Sequence, residues 1–311
     1  MIFLFFMLVA EPPTILVVRS ESPTYETFNI AFERELEADF GHFTTETLVV
    51  ERKKGHEPFS KAMAKPPRVL VMVDRWPAEL YTWWLEEKAP PDFTPPPAIL
   101  LYNVQIEKHI NKIPNSTGIR FNIPAVTGII NLRSISPEIK RVGVLYRPIL
   151  ATQFERERRL AKPEGVELVG HQLSTKTTVN EIKSGLRALK RNKVQAYWLF
   201  NDPHMLTPEL LSKAWIPRVE QYRIPVIVGV NSLMGRVKLG NLAIFPDIEG
   251  LAGQAFQIVL DLEDNEWQAA EIGLQHPHSV KKYFNRANWP RRLFINDQIL
   301  NEEFDAIITL E

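Results

Sequence analysis

Short apolar runs and amphipathic segments alternate along the chain from residue 12 onward. The first run, TILVVRS, is short and rich in β-branched residues. In the segment after it, Phe28, Phe32 and Leu36 recur every four residues, as on one face of a helix. The apolar run RVLVMVD (Arg68–Asp74) precedes another helical segment, PAELYTWWLEEK. Because continuous apolar strands are those that helices cover on both faces, this pattern predicts βαβ units and a parallel sheet.

A second series of the same kind begins near residue 140. The runs RVGVLY, AYWLF and IPVIVGV are typical of buried strands, and helical segments separate them. In one of these segments, Ile182, Leu186 and Leu189 share a face. The same plan therefore occurs twice, which predicts an α/β fold of two doubly wound parallel-sheet lobes that join near Arg133–Lys140.

The order of the segments predicts how the chain is divided between the lobes. Elements that follow two complete lobes imply that the chain crosses back, so we expect several hinge strands. The expected division is an apolar leader at 1–10, a first lobe from 11–136 with 245–270, and a second lobe from 137–244 with 271–311.

Composition narrows the class of partner. The 311 residues include 37 Lys and Arg against 37 Asp and Glu, so the formal net charge is zero. That balance argues against binding to nucleic acid or an anionic membrane by bulk electrostatics. The chain has no cysteine, which excludes thiol catalysis, thiolate metal sites and disulfides. We therefore expect no nucleic-acid partner and, since no segment has transmembrane length, no stable membrane insertion.

The first ten residues, MIFLFFMLVA, are apolar throughout. Ten residues are too few to span a bilayer, which takes about 20 in a helix. The stretch has the length of the hydrophobic region of a secretory signal peptide, with Ala10 as the expected last residue before cleavage. A buried N-terminal strand is the alternative. We expect export, to the periplasm or another extracytoplasmic location.

Polar and aromatic residues cluster where the predicted strands end. Open parallel sheets bind ligands beyond the carboxyl ends of their strands, so these segments form the candidate site. They are SESPTY, DRWP and YNVQ in the first lobe, and YRP, NDP, GVNS and FPD in the second. Hydroxyls, amides, carboxylates and rings in one place suit a polar, zwitterionic or aromatic small molecule.

Each candidate polar residue also has a structural interpretation. Ser22 and Thr24 are placed to cap the first predicted helix. Asp74 and Asp202 precede helical segments, where a capping carboxylate stabilises a helix by about 0.5–2 kcal/mol. Both interpretations stay open at the level of sequence.

Signals for enzymatic chemistry are weak. The sequence contains no G-x-S-x-G, no G-x-G-x-x-G after a strand and no Walker loop. His276 and His278 have no obvious third metal ligand, and Pro277 between them favours a surface loop. Asn115 begins a glycosylation sequon, and Arg156–Arg159 (RERR) is expected to be a solvated helix face. We therefore predict a protein that is not an enzyme and has no cofactor and no metal.

One stretch carries a specific order of features. In NSTGIRFNIPAVTGIINLRSISPEIKRVGVLYRP, an Asn-x-Thr-Gly precedes a helix of about fifteen residues, then a proline, a Lys-Arg pair and a Gly-Val-Leu-Tyr-x-Pro strand. This resembles the substrate-binding proteins of ABC transporters, in particular the TrpX-like family, whose better-known members bind tryptophan and related aromatic amino acids. The resemblance continues through AYWLFNDP and IPVIVGVNSLMGRVKLGNLAIFPDIEGLAGQA. The family's usual Asp-Asn after the first of these strands is here Asn201-Asp202.

The resemblance implies a type 1 periplasmic binding protein fold and a function. It implies an extracytoplasmic solute-binding protein of an ABC-type importer, which closes its lobes over a small polar or amino-acid-like ligand and presents it to permease subunits. A carboxylate such as Asp202 or Asp247 would hold an ammonium group. The implied ligand contacts are Ser22, Thr24, Tyr25, Asp74 and Tyr102 on one side and Tyr146, Asn201, Asp202, Asn231 and Asp247 on the other.

Two other functions fit the same residues. One is a ligand-binding module of the same fold that serves a sensory or signalling partner. The neighbouring genes would distinguish this function from import, because permease and ATPase genes beside the gene for this protein favour import. The other is a small-molecule enzyme with Asp74 or Asp202 as general base, although no nucleophile or metal is evident beside either residue.

Overall fold

A computed structural model describes residues 13–39, 42–52, 54–235, 239–286 and 289–308. The apolar leader expected at residues 1–10 lies outside these ranges. Within them, no helix is long and apolar enough to cross a bilayer.

The described chain alternates strands and helices, as the hydrophobic pattern predicts. The strands are β1 (Thr14–Ser20), β2 (Thr44–Val50), β3 (Val69–Val73), β4 (Ala98–Leu101), β5 (Ser116–Ile119), β6 (Arg141–Tyr146), β7 (Glu167–Gln172), β8 (Ala196–Trp198), β9 (Val226–Val228), β10 (Leu242–Pro246), β11 (Leu274–Gln275), β12 (Val280–Asn285) and β13 (Ala306–Ile308). The α-helices are α1 (Pro23–Ala38), α2 (His56–Ala62), α3 (Arg75–Glu87), α4 (Ile106–Ile110), α5 (Ala125–Ile135), α6 (Ala151–Ala161), α7 (Val179–Arg191), α8 (Pro208–Leu210), α9 (Ile216–Tyr222), α10 (Ile248–Asp264) and α11 (Asp297–Glu303). A π-helical turn, Leu211–Trp215, joins α8 to α9.

The chain forms two compact units. Unit 1 comprises Met1–Phe121 and Asp247–Ser279, and unit 2 comprises Asn122–Pro246 and Val280–Glu311. The chain therefore passes from one unit to the other at residues 121–122, 246–247 and 279–280.

These boundaries differ from those expected from the sequence. The segment 122–136 belongs to unit 2, because α5 packs directly on the unit 2 sheet. Gly128 of α5 lies so close to that sheet that an added Cβ would come within 2.8 Å of Ile227. The segment 271–279 belongs to unit 1, because β11 pairs with β5 in the unit 1 sheet.

Unit 1 contains a six-stranded sheet in the order β11-β5-β4-β3-β1-β2, and every pair in it is parallel. Helices α1 and α10 cover one face, where they bury Ile15 and Val17 of β1. Helices α2 and α3 cover the other face, against Leu16 and Val18 of the same strand. Alternate residues of an apolar strand are thus buried on opposite sides, which is why the strand has no polar face.

Unit 2 contains a seven-stranded sheet in the order β13-β12-β10-β9-β8-β6-β7. Its pairs are parallel except that of β10 with β12. Helices α5 and α6 pack on one face of the sheet, and α7 and α9 pack on the other. The predicted fold class, α/β with two doubly wound and mostly parallel sheets, is confirmed.

Candidate functional site

Asp74 organises the carboxyl end of the unit 1 sheet. It follows β3 directly and is the N-cap of α3, where its Oδ1 accepts a 2.6 Å hydrogen bond from the Arg75 backbone N–H. Its Oδ2 accepts a 2.9 Å hydrogen bond from the hydroxyl of Ser20 at the end of β1. The capping interpretation is therefore correct for Asp74, and the carboxylate also links two strand ends.

The backbone is strained at two neighbouring strand ends. Asp74 has φ 103° and ψ 165°, a region that is essentially restricted to glycine, and Tyr102 after β4 has φ 53°. Such conformations cost on the order of 1–3 kcal/mol each and persist where the surrounding structure holds them, commonly at ligand sites. Since β3 and β4 are paired, the two strained residues lie at the ends of adjacent strands.

Tyr25 and Tyr102 form an aromatic cluster beside Asp74. Their rings meet edge to face with centroids 5.4 Å apart, and the ring of Phe121 lies 5.9 Å from that of Tyr102. Burial raises the pKa of Tyr25 to about 12, with further contributions from the charge of Asp74 and a hydrogen bond to it. Burial also raises the pKa of Tyr102, helped by Tyr25 and Asp247. The buried hydroxyl of Tyr102 has no hydrogen-bond partner among the described residues.

Asp247 belongs to this end of unit 1, not to the second side of the site as the resemblance implied. It is the N-cap of α10, and its Oδ2 accepts a 3.2 Å hydrogen bond from the Ser279 hydroxyl. Its charge contributes to the raised pKa of Tyr102. The chain re-enters unit 1 immediately after β10, so Asp247 is the first residue of that return.

Ser22 and Thr24 lie at the start of α1, as expected. Ser22 is the N-cap residue, but its side chain makes no capping hydrogen bond among the described residues, so the expected side-chain cap is absent. Its carbonyl oxygen instead accepts from the Glu26 backbone N–H at 2.9 Å. Thr24 is exposed. Of the three residues expected here, only Tyr25 joins the cluster around Asp74.

In unit 2, Asp202 forms a buried ion pair with Arg147. Nε of Arg147 lies 2.6 Å from Oδ2 of Asp202 and Nη2 lies 2.9 Å from Oδ1, which is a bidentate arrangement. Arg147 also donates from Nη1 to the carbonyl oxygen of Thr175 at 3.2 Å. The side chains are only 9% and 3% exposed. One guanidinium thus joins the loops that follow β6, β7 and β8.

This geometry changes the role expected for Asp202. Both of its oxygens accept from Arg147, and Oδ1 also accepts from the His204 backbone N–H at 3.0 Å. The next helix has its own cap, because Thr207 accepts from the backbone N–H of Leu210. Asp202 is therefore not the helix cap that the sequence suggests. Arg147 is not among the ligand contacts that the resemblance implied, although the candidate segment YRP contains it as a cation directly after an apolar strand.

Asn201 borders a small pocket at the carboxyl ends of β8 and β9. Its Nδ2 donates to Oδ1 of Asn122 at 3.0 Å. It also packs so closely on Gly229 that a Cβ there would lie 2.4 Å from Nδ2. The pocket combines amides with rings and aliphatic groups, and its lining includes Asn122, Gln153, Trp198, Phe200, Asn201, Gly229 and Ile244.

The two other unit 2 candidates are placed differently. Tyr146 is half-buried and stacks on Phe154 with centroids 4.5 Å apart, so much of its ring is used in packing within unit 2. Asn231 is exposed at the start of a short 3-10 turn. Within the part of the chain that the structure describes, neither residue is hydrogen-bonded to Asn201, and both remain predicted ligand contacts.

Two sequence features outside the site have structural roles. Within RERR, Glu157 is only 2% exposed, and its Oε2 accepts a 2.8 Å hydrogen bond from the Ala125 backbone N–H at the start of α5. RERR is therefore not wholly a solvated face. Asn115, in the sequon, donates to the carbonyl oxygen of Trp267 and accepts from the Ala269 backbone N–H, so both ends of its amide are hydrogen-bonded.

Among the described residues, no group of three or more His, Asp or Glu side chains could hold a metal ion. The polar cluster of each unit lies at the carboxyl ends of parallel strands, where α/β proteins of this class bind small molecules. Two such units in one chain, with three passages of the chain between them, match the architecture of the type 1 periplasmic binding fold.

Comparisons with solved structures show the same fold. The chain resembles a ligand-free, open substrate-binding protein with adhesive properties from Clostridium difficile, with a TM-score of 0.69 and 14% identity over 96% of this chain and 100% of that one. It resembles an ABC domain in complex with L-Trp from Streptococcus pneumonia, with a TM-score of 0.57 and 17% identity over 94% and 100% of the two chains. An arabinose-binding protein from Geobacillus stearothermophilus gives a TM-score of 0.56 and 11% identity over 88% and 96%.

The chain therefore has the fold of ABC-transporter solute-binding proteins, as the sequence resemblance implied. No protein-family model matches the sequence, and no curated protein matches it.

Proposed function

We propose that this protein is a solute-binding protein of an ABC-type importer and binds a small polar or amino-acid-like ligand. The observation that carries the proposal is the strained pair Asp74 and Tyr102 at the ends of adjacent parallel strands. The solved structures that share the fold include one with L-Trp and an arabinose-binding protein, which supports a ligand in that size range.

The unit 1 cluster supplies the features that such a ligand needs. Tyr25, Tyr102 and Phe121 provide aromatic surface, and the Tyr102 hydroxyl is buried without a hydrogen-bond partner among the described residues. Asp74 and Asp247 provide carboxylates at helix N-termini. Micromolar affinity corresponds to roughly −8 kcal/mol. Hydrogen bonds to charged groups at about 1.5–3 kcal/mol each, with one aromatic contact, are sufficient for that scale.

Unit 2 contributes a second set of ligand contacts in this proposal. Asn201 lines its pocket, while Tyr146 and Asn231 follow β6 and β9. The pair of Arg147 with Asp202 is neutral overall and holds the loops around this set in place. In this proposal Asp202 positions the loops of unit 2. An ammonium group of the ligand is bound by the unit 1 carboxylates Asp74 and Asp247 and not by Asp202.

A thermal-shift screen of the purified protein tests the proposal. The compounds are amino acids, pentoses, hexoses, nucleosides and small organic acids. A ligand at 100 times its Kd should stabilise the folded protein by about 2.7 kcal/mol. A protein that no compound stabilises contradicts the proposal.

Two matched variants then place the ligand. Tyr102→Phe removes the buried hydroxyl of the candidate site, and Tyr197→Phe removes another buried hydroxyl without a described partner, from the core of unit 2. Loss of one neutral hydrogen bond of about 0.5–1.5 kcal/mol should weaken binding two- to tenfold in Tyr102→Phe alone. Equal affinity in the two variants would remove Tyr102 from the site.

Export and the permease partner belong to the same proposal. The protein would be delivered outside the cytoplasm by its apolar leader and would present ligand to permease subunits. Expression with the natural N-terminus, followed by fractionation and N-terminal sequencing, tests the first part. A mature chain that begins after Ala10 is expected, and full-length protein in the cytoplasm is the contrary result.

A further inference from the structure

The pocket at the carboxyl ends of β8 and β9 is lined only by uncharged side chains among the residues that the structure describes. Its polar side chains are the amides of Asn122, Gln153 and Asn201. Its apolar lining includes the rings of Trp198 and Phe200, whose centroids lie 4.4 Å apart. Such a lining offers no cation to an anionic group and no carboxylate to an ammonium group.

Gln153 supplies the free amide of this pocket. The Asn201 amide already donates to Oδ1 of Asn122 at 3.0 Å. Gln153, in the first turn of α6, is half-buried and makes no hydrogen bond within the part of the chain that the structure describes. Its side chain therefore keeps two N–H donors and one acceptor oxygen for a bound molecule. A neutral group such as a carboxamide, a urea or a hydroxyl can both donate to that amide and accept from it.

Glu157 occupies the helix N-terminus beside the pocket. It lies one turn after Gln153 on the same face of α6 and is only 2% exposed. Its Oε2 accepts a 2.8 Å hydrogen bond from the Ala125 backbone N–H at the start of α5, and Pro124, the preceding residue, lines the pocket. Its Oε1 lies 3.3 Å from Nη2 of Arg156. The partial positive charge of a helix N-terminus attracts anions, and here a carboxylate of the chain itself balances that charge.

We infer that the unit 2 pocket binds a neutral hydrogen-bonding group of the ligand, with Gln153 as its direct contact and Glu157 as the residue that excludes anions. The inference rests on the proposed function and narrows the ligand class, because at this pocket the ligand presents a carboxamide, a urea or a hydroxyl. A carboxylate or phosphate meets no cation among the described lining residues and is repelled by the charge of Glu157.

Two substitutions separate the roles of these residues, and each has a control. Glu157→Gln removes the charge, while the remaining amide oxygen can still accept from the Ala125 backbone N–H. Glu155→Gln makes the same change of charge at an exposed position of α6. Gln153→Leu removes the free amide at a similar side-chain volume, and Gln221→Leu makes the same change at an exposed position of α9.

The binding test uses acetamide and acetate, which have nearly the same shape and differ in charge. Each probe is titrated at constant ionic strength into the 15N-labelled protein and its variants. The backbone amide signals of Gly128 and Gly229, which both line the pocket, report binding by NMR.

For the wild type, Glu155→Gln and Gln221→Leu, we expect acetamide to bind at least about threefold more tightly than acetate. In Glu157→Gln the affinity for acetate should rise about two- to tenfold while that for acetamide stays the same, because the positive N-terminus of α5 is no longer balanced. In Gln153→Leu the affinity for acetamide should fall at least about threefold, because its hydrogen-bond partner is lost.

Three results overturn the inference. They are equal affinities of the wild type for the two probes, an unchanged ratio of those affinities in Glu157→Gln, and full acetamide affinity in Gln153→Leu. If neither probe shifts the pocket signals of the wild type, the inference also fails, whereas a ligand found in the thermal-shift screen would still uphold the proposed function. If no compound in that screen stabilises the protein, the proposed function fails, and the two titrations still decide the chemistry of the pocket.

Discussion

Arg147 and Asp202 form a buried bidentate ion pair, 2.6 and 2.9 Å long, that joins residues 55 apart in the chain. The pair lies where β6 and β8 end, and the third guanidinium nitrogen reaches the Thr175 carbonyl oxygen after β7. The side chains of Arg147 and Asp202 are only 9% and 3% exposed, so water cannot solvate either charge if its partner is removed. Removing one of them alone should therefore be costly.

We expect Asp202→Ala to destabilise the protein by about 3–5 kcal/mol, because Arg147 would remain buried without its counter-charge. The double variant Arg147→Met with Asp202→Leu should recover most of that loss, since apolar replacement of a whole buried pair is often neutral. Urea unfolding followed by circular dichroism measures both. A loss below about 1 kcal/mol in Asp202→Ala, as for an exposed pair, would contradict the assignment.

Gly229→Ala should displace Asn201. The added methyl would lie 2.4 Å from Nδ2 of Asn201, so either the amide or the strand end must move, at about 1–3 kcal/mol. Asn201→Ala removes the colliding amide, so the double variant should be more stable than the sum of the two single effects implies. A double-mutant cycle by chemical denaturation checks this coupling. Strict additivity would show that the two residues do not interact.

Glu157 and Glu155 on α6 provide a matched comparison. Glu157 is buried and accepts from the first N–H of α5, whereas Glu155 is exposed and pairs with Arg158. Glu157→Ala should cost about 1–3 kcal/mol, because it leaves a buried donor unsatisfied. Glu155→Ala should change stability by about 0.5 kcal/mol or less. Melting temperatures of the two variants decide the comparison, and equal shifts would rule out the capping role of Glu157.

His109 should make unit 1 sensitive to acid. Its pKa is lowered by burial, which outweighs the raising effect of Glu79, and the cations Arg75, Lys108 and Lys112 lower it further. The unfolded chain takes up a proton near pH 6.5, whereas folded His109 does so only at lower pH. Stability is therefore retained at neutral pH and lost as the pH falls below about 6.5, by at most about 1.4 kcal/mol per pH unit.

Thermal unfolding between pH 7.5 and 5 measures this effect. His109→Gln should lose less stability over the range than the wild type, while the control His278→Gln, at an exposed position, should match the wild type. An identical pH dependence of His109→Gln and wild type would contradict the prediction.

The sequence by itself determined the alternation of strands and helices and the α/β class. The run at β3 is wholly buried, and Phe28, Phe32 and Leu36 all pack in the core on the α1 side of the unit 1 sheet. An element that buries one face or both repeats its apolar residues at the period of a helix or a strand, and that period can be read from a short stretch of sequence, which is why this level was predictable. The same logic located the strand ends, and hence Tyr25, Asp74 and Tyr102.

Only the tertiary structure decided which of those polar groups meet. Ser20 and Asp74 are 54 residues apart, and Glu157 lies 32 residues from the Ala125 N–H that it caps. Nothing in a local pattern separates a carboxylate that caps a helix from one that pairs with a buried guanidinium, because both follow an apolar strand. Asp202 took the second role and Asp74 the first. Unit boundaries likewise depended on which sheet α5 and β11 packed against, since sheet assignment follows from contacts between distant segments.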